Sequence, residues 1–170
     1  MMEIIKSDRL FLRKPKRSDA ANLLPLLNDK KIHEYVPNLF YTTTAEIRKF
    51  IKFYIKASDY KNDFCLLIQD IKTKEILGII DAYIYCSNEY TIGISYALKE
   101  SARGKGIMID SLKAFLMYLH SNSNATSAEF SIREDNVSSL RVMEKLNIPS
   151  TSKSGNYIYY GLSLREKPSF

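Results

Sequence analysis

Cysteine is scarce in this sequence and long apolar runs are absent. Among 170 residues only Cys65 and Cys86 carry thiols, and no C-x-x-C or Cys/His spacing accompanies them. Neither a disulfide scaffold nor a zinc site is supported, so both thiols are expected reduced and buried. No apolar stretch approaches the roughly 18 residues that a membrane-spanning helix requires. The opening Met1-Met2-Glu3-Ile4-Ile5-Lys6-Ser7-Asp8 lacks the apolar core of a secretory signal. These absences predict a cytoplasmic protein with no membrane partner. Linkers, repeats and low-complexity tracts are missing too, so residues 1–170 are expected to form a single domain with one core.

What is present is an ordinary globular composition: 45% hydrophobic and 26% charged residues exclude both a disordered chain and a membrane protein. The formal charge of +6 favours an anionic partner, and nucleic acid, an acidic membrane and a polyanionic cofactor are all compatible with it. The densest basic cluster, Arg13-Lys14-Pro15-Lys16-Arg17, has no interleaved aromatics. It therefore reads as a solvated loop, and no nucleic-acid contact is expected.

Along the chain, Arg9 to Arg13 alternates like a half-buried strand. Ser18-Asp19 opens a helix with Leu23, Leu24, Leu26 and Leu27 on its apolar face, Pro25 as a kink or early break, and Asn28-Asp29 as its stop. Thr43-x-x-Glu46 is a capping box before Ile47, Phe50, Ile51, Tyr54 and Ile55, whose spacing is that of one helical face. Phe64 to Gln69 and Glu75 to Tyr85 read as a hairpin, and Tyr90 to Leu98 as a third strand after the polar turn Cys86 to Glu89. At Arg103-Gly104-Lys105-Gly106 the period changes. Met108, Leu112, Phe115, Leu116 and Leu119 then mark a helix that ends at Ser121 to Asn124. Ser127 to Arg133 is a strand, Asn136 caps a helix carrying Leu140, Val142, Met143 and Leu146, and Asn156 to Leu164 closes the chain as a strand. The order βααβββαβαβ predicts an α+β fold on a mixed sheet.

Two stretches carry chemistry. In Arg103-Gly104-Lys105-Gly106-Ile107-Met108 the glycines let the backbone turn sharply and approach a ligand, while the first N–H groups of the following helix face an anion such as a pyrophosphate. Steric need alone also places glycines at strand-to-helix turns. Neither a Walker loop nor a complete dinucleotide G-x-G-x-x-G is formed. The second stretch, Asn136-Val137-Ser138-Ser139-Leu140-Arg141-Val142-Met143-Glu144-Lys145-Leu146, reads on its own as an N-cap and a first turn.

Taken together, the two stretches resemble the acetyl-CoA signature [RQ]-x-x-G-x-[GA] of the GNAT N-acetyltransferases, with Arg103, Gly104 and Gly106 in register and Met108 in place of the final small residue. The downstream segment resembles the N-x-x-S-x-x-[VL]-x-E-K-L-G-F stretch of the branch that acetylates ribosomal-protein N-termini. It is matched by Asn136, Ser139, Val142, Glu144, Lys145 and Leu146, with Asn147-Ile148 replacing Gly-Phe. Arg9-Leu10-Phe11-Leu12-Arg13 and Ser18-Asp19-Ala20 resemble the same branch's opening, so the likeness covers nearly the whole chain.

The resemblance implies a GNAT fold, namely a central mixed, mostly antiparallel sheet with helices on both faces and a V-shaped splay for acyl-CoA between the Tyr90–Leu98 strand and the Ser127–Arg133 strand. It also implies acetyl-CoA as donor and a primary amine as acceptor, a protein or peptide N-terminus in this branch, in a monomer or homodimer. Main-chain groups of Tyr96, Ala97 and Leu98 would pair with the pantetheine, and an N–H of that strand would stabilise the oxyanion. The backbone of Gly104, Lys105, Gly106, Ile107 and Met108, with the Arg103 and Lys105 side chains, would hold the pyrophosphate. Asn136 would bind the cofactor arm and Ser139 would protonate the leaving thiolate. The carboxylate that this branch carries at the start of the cofactor strand is missing, since Thr91-Ile92-Gly93 stands there. Asp81 and Glu89 are the nearby acids, and Asp81 in a hydrophobic strand is the candidate base. Tyr83, Tyr85, Tyr90 and Tyr96 would line the acceptor cleft. A weakly equipped site favours an α-amine of pKa about 8 over a lysine of about 10.4. The alternatives are a small-amine acetyltransferase and a non-catalytic acyl-CoA-binding module.

Overall fold

The computed structural model describes residues 5–57, 63–84 and 90–170. They build eight strands in one sheet of order β1-β2-β3-β4-β5-β6-β8-β7. By contact the chain divides into two compact units, Met1–Ala82 with Ser95–Lys105, and Tyr83–Ile94 with Gly106–Phe170.

The first unit contains β1 (Ile5–Lys6), β2 (Leu10–Arg13), α1 (Ala20–Leu27), α2 (Lys30–Tyr35), α3 (Thr44–Ala57), β3 (Asp63–Asp70) and most of β4 (Ile76–Ile84). The latter part of β5 (Thr91–Leu98) also belongs to it. Leu23, Leu26 and Leu27 of α1 and Ile47 and Ile51 of α3 share one core cluster with Cys65 and Leu67 of β3, Ile76 and Ile79 of β4, and Ala97. Because Leu66 and Ile68 on the other face of β3 are also at 0% exposure, the strand is covered on both sides and shows no alternation in sequence.

Helix α1 runs through Pro25 to Leu27 and closes with the Asn28 N–H on the Leu24 carbonyl at 2.9 Å. The expected break does not occur because the three leucines at 1% exposure or less contribute about 1.5–3 kcal/mol each, which outweighs the about 3 kcal/mol that an internal proline costs. Asn28-Asp29 stops α1 as expected, but it also starts α2, which the sequence reading did not contain: the Asp29 Oδ1 accepts from the Lys31 N–H at 2.9 Å as an N-cap. The capping box of α3 forms as read. The Thr43 Oγ1 accepts from the Glu46 N–H at 3.2 Å, and the Glu46 Oε2 accepts from the Thr43 N–H at 3.0 Å. Ile55, placed on the buried face from its spacing, is instead 42% exposed.

The second unit contains the start of β5, α4 (Ile107–Asn122), β6 (Ser127–Arg133), α5 (Val137–Lys145), β7 (Ser150–Ser154) and β8 (Tyr157–Ser163). With α4 as the crossover between them, β5 and β6 pair in parallel, Thr91 with Ser127 through Gly93 with Glu129. The pairs β1–β2, β2–β3, β6–β8 and β8–β7 are antiparallel, so the sheet is mixed as expected. Leu112, Phe115, Leu116 and Leu119 of α4 are all at 0% exposure.

Candidate active site

The glycine turn opens α4 with a particular backbone. After a 3-10 turn at Glu100–Ala102, Gly104 has φ +74° and Gly106 has φ +72°, and Gly106 caps the sixteen-residue α4. A Cβ at Gly104 would meet nothing within 4 Å. Close packing therefore does not explain this glycine; the left-handed backbone does, and the side it leaves open admits a ligand. Free N–H groups at the head of α4 provide the positive end of the helix there.

The Arg103 guanidinium is committed elsewhere in its own unit. Its Nη2 donates to Asp29 Oδ2 at 2.8 Å and its Nε to the Leu98 carbonyl at 3.1 Å. Lys105 is exposed, and its carbonyl accepts from Arg9 Nη2 at 2.8 Å. On β5, Ala97 is buried and Tyr96 and Leu98 are half-buried. The parallel pairing stops at Gly93, although β5 continues to Leu98.

Asn136 caps α5: its Oδ1 accepts from the Ser139 N–H at 3.2 Å and from Ser138 Oγ at 2.9 Å. Ser139 is half-buried in the first turn of that helix. The cap fixes Ser139 relative to Asn136, so these two candidates are brought together by a local bond rather than by long-range packing.

Asp81 lies inward on β4 at 4% exposure, and the Tyr54 hydroxyl of α3 donates to its Oδ1 in a short hydrogen bond. Desolvation pushes the Asp81 carboxyl up to about 6, assisted by the charge of Asp63 and opposed by the Tyr54 hydrogen bond. Burial and then the Asp81 charge raise the Tyr54 and Tyr41 phenols, so both stay protonated. The Cys65 thiol is raised by the same two causes and is inert. Tyr41, Phe50 and Tyr54 pack in sequence, tilted and then edge-on, at 5.1 and 5.0 Å between ring centroids. Tyr83 and Tyr90 are exposed, while Tyr85, Cys86 and Glu89 fall outside the described residues. Tyr54 was legible in sequence only as an apolar-face residue, and Asp29 only as a stop; neither signal announces a polar partner across the fold.

A left-handed glycine turn after β5, leading into the α4 that connects the parallel strands β5 and β6, fits an acyltransferase fold. The chain belongs to the GNAT acetyltransferases: the profile described as Acetyltransferase (GNAT) domain matches residues 9–148. It is similar to an uncharacterized N-acetyltransferase p20 of Bacillus licheniformis, 22% identical over 86% of this chain and 82% of that one. In structure it resembles the ribosomal L7/L12 α-N-protein acetyltransferase RimL in complex with coenzyme A, with TM-score 0.81 and 22% identity over 95% and 98% of the two chains. It also resembles the ribosomal-protein-S5-alanine acetyltransferase of Vibrio fischeri, with TM-score 0.84 and 14% identity over 98% and 99%.

Proposed function

We propose that this GNAT enzyme transfers the acetyl group of acetyl-CoA to the α-amine of a protein or peptide, as a cytoplasmic, single-domain N-acetyltransferase. The observation that carries the donor assignment is the left-handed glycine pair at the head of α4, with open space at Gly104. The backbone of Gly104 to Met108 and the Lys105 side chain hold the pyrophosphate, main-chain groups of Tyr96, Ala97 and Leu98 take the pantetheine, and Asn136 takes the arm. When bound, acetyl-CoA would supply an activated thioester whose thiolate leaves far more readily than an alkoxide. Ser139 donates a proton toward that sulfur.

Asp81 is the base, and Tyr54 is its link to the acceptor. The carboxyl is nearly sealed while Tyr54 is half-buried. The Tyr54 hydroxyl passes its proton to Asp81 as it accepts one from the amine, so its own protonation is unchanged after the step. A carboxyl of pKa about 6 suits an α-ammonium. Proton transfer from a group of pKa about 8 is uphill by about 2.7 kcal/mol, against about 6 kcal/mol from a lysine of about 10.4. The exposed Arg48, Lys49 and Lys52 on α3 disfavour a polycationic small amine.

The test is a pair of peptides at pH 7, one with a free N-terminus and no lysine, the other with a blocked N-terminus and one lysine. kcat/KM should favour the free N-terminus by about two orders of magnitude, the ratio of the neutral amine fractions. Faster acetylation of the lysine peptide would refute the acceptor assignment.

A further inference from the structure

We infer that Arg9 and Asp29 are positioning residues for the donor-binding turn, and that Arg103 serves as the handle by which Asp29 holds it. The inference rests on the reading that acetyl-CoA binds at Gly104 to Met108. Two side chains from remote parts of the sequence, 96 and 74 residues away, reach the three-residue stretch 103–105. Arg9 Nη2 donates to the Lys105 carbonyl at 2.8 Å, and Asp29 Oδ2 accepts from Arg103 Nη2 at 2.8 Å. Arg103 closes a second bond to the Leu98 carbonyl at the end of β5.

These bonds are ill suited to a stability role. The Arg103 and Asp29 side chains are 33% and 25% exposed, and a partly exposed ion pair contributes little to folding. Their effect is on geometry. In a trans peptide the carbonyl and the next N–H point in opposite directions, so anchoring the Lys105 carbonyl fixes the direction of the Gly106 N–H. Gly104 and Gly106 are the residues whose lack of a Cβ leaves the turn most conformational freedom. Tethering the segment between them places the ordering entropy in the folding step rather than in cofactor binding. Asp29 does this while capping α2 through its other oxygen, so one carboxylate links α2 to the turn. Desolvation would raise the Asp29 carboxyl, but the Lys31 N–H and the Arg103 guanidinium hold it below the ordinary range. The tether therefore remains charged at neutral pH.

Asp29→Ser keeps an N-cap acceptor for α2 but is too short to reach Arg103, and Arg9→Met keeps the length of the side chain without its donors. Acetyl-CoA titrated calorimetrically into each folded variant should show a dissociation constant raised about tenfold. Steady-state kinetics should place the loss on the KM for acetyl-CoA, with kcat and the KM for the acceptor peptide changed less than twofold. Arg9→Lys, which retains a donor for the carbonyl, should recover most of the affinity. A purely structural role would lower the melting temperature of the variants and leave the affinity of the folded fraction intact. Wild-type affinity in both variants, with the wild type itself binding, would overturn the anchoring alone. Absence of acetyl-CoA binding to the wild type would instead overturn the donor site, and this inference with it.

Discussion

The burial of Asp81 makes the stability of the fold depend on pH. Its carboxyl has a pKa of about 6 in the folded chain against 3.8 for the free group, so between these values the native state holds more protons than the unfolded state. The stability associated with the neutral form is complete below pH 3.8 and is lost as pH rises through 6, an effect of about 3 kcal/mol. Asp81→Asn should therefore raise the unfolding free energy at pH 8 by up to about 3 kcal/mol, leave it nearly unchanged at pH 3.5, and remove most of the activity. Denaturant melts at both pH values check the first part, and an equal effect at both would show that the Asp81 carboxyl titrates alike in the folded and the unfolded chain. Tyr54→Phe removes the hydrogen bond that holds the Asp81 carboxyl down. The acidic limb of kcat/KM should then move to higher pH and the plateau should fall. An unmoved limb would separate Tyr54 from the base.

At the level of elements, what could be read in advance was what local chemistry determines. The capping box of α3 and the Asn136 cap of α5 are written in adjacent residues and form as read. The edge strands β1 and β7 were not legible, because β1 has two residues and every residue of β7, Ser-Thr-Ser-Lys-Ser, is exposed, leaving no apolar alternation. Helix α2, with six residues, buries only Ile32 and so carries no helical period. For the turn into α4, the glycines were visible in the sequence, but whether they served packing or backbone conformation was not. The open space at Gly104 decides for conformation. Gly104→Ala should accordingly cost about 1–2 kcal/mol through its φ of +74° alone, and should weaken acetyl-CoA binding by displacing the turn. Unchanged stability and affinity would show that the turn tolerates a β carbon.

For the whole molecule, the alternation of strands and helices after β5 was enough to anticipate a partly parallel segment in a mixed sheet, and residues 9–148 carry the GNAT profile. The candidate site was legible to a lesser degree. The resemblance implied that the Arg103 side chain holds the pyrophosphate, but its hydrogen bond to Asp29, a contact across 74 residues, is one that no local pattern encodes. The excess positive charge of +6 fits a polyanionic donor, and the proposed site for it is the glycine turn. Calorimetric titration of acetyl-CoA into the wild type and into Gly106→Asp, each verified as folded, tests that location most directly. One saturable site is expected in the wild type and none in the variant, because the substitution adds bulk and negative charge where the pyrophosphate would meet backbone. Equal affinity in the two proteins would contradict a donor site at this turn.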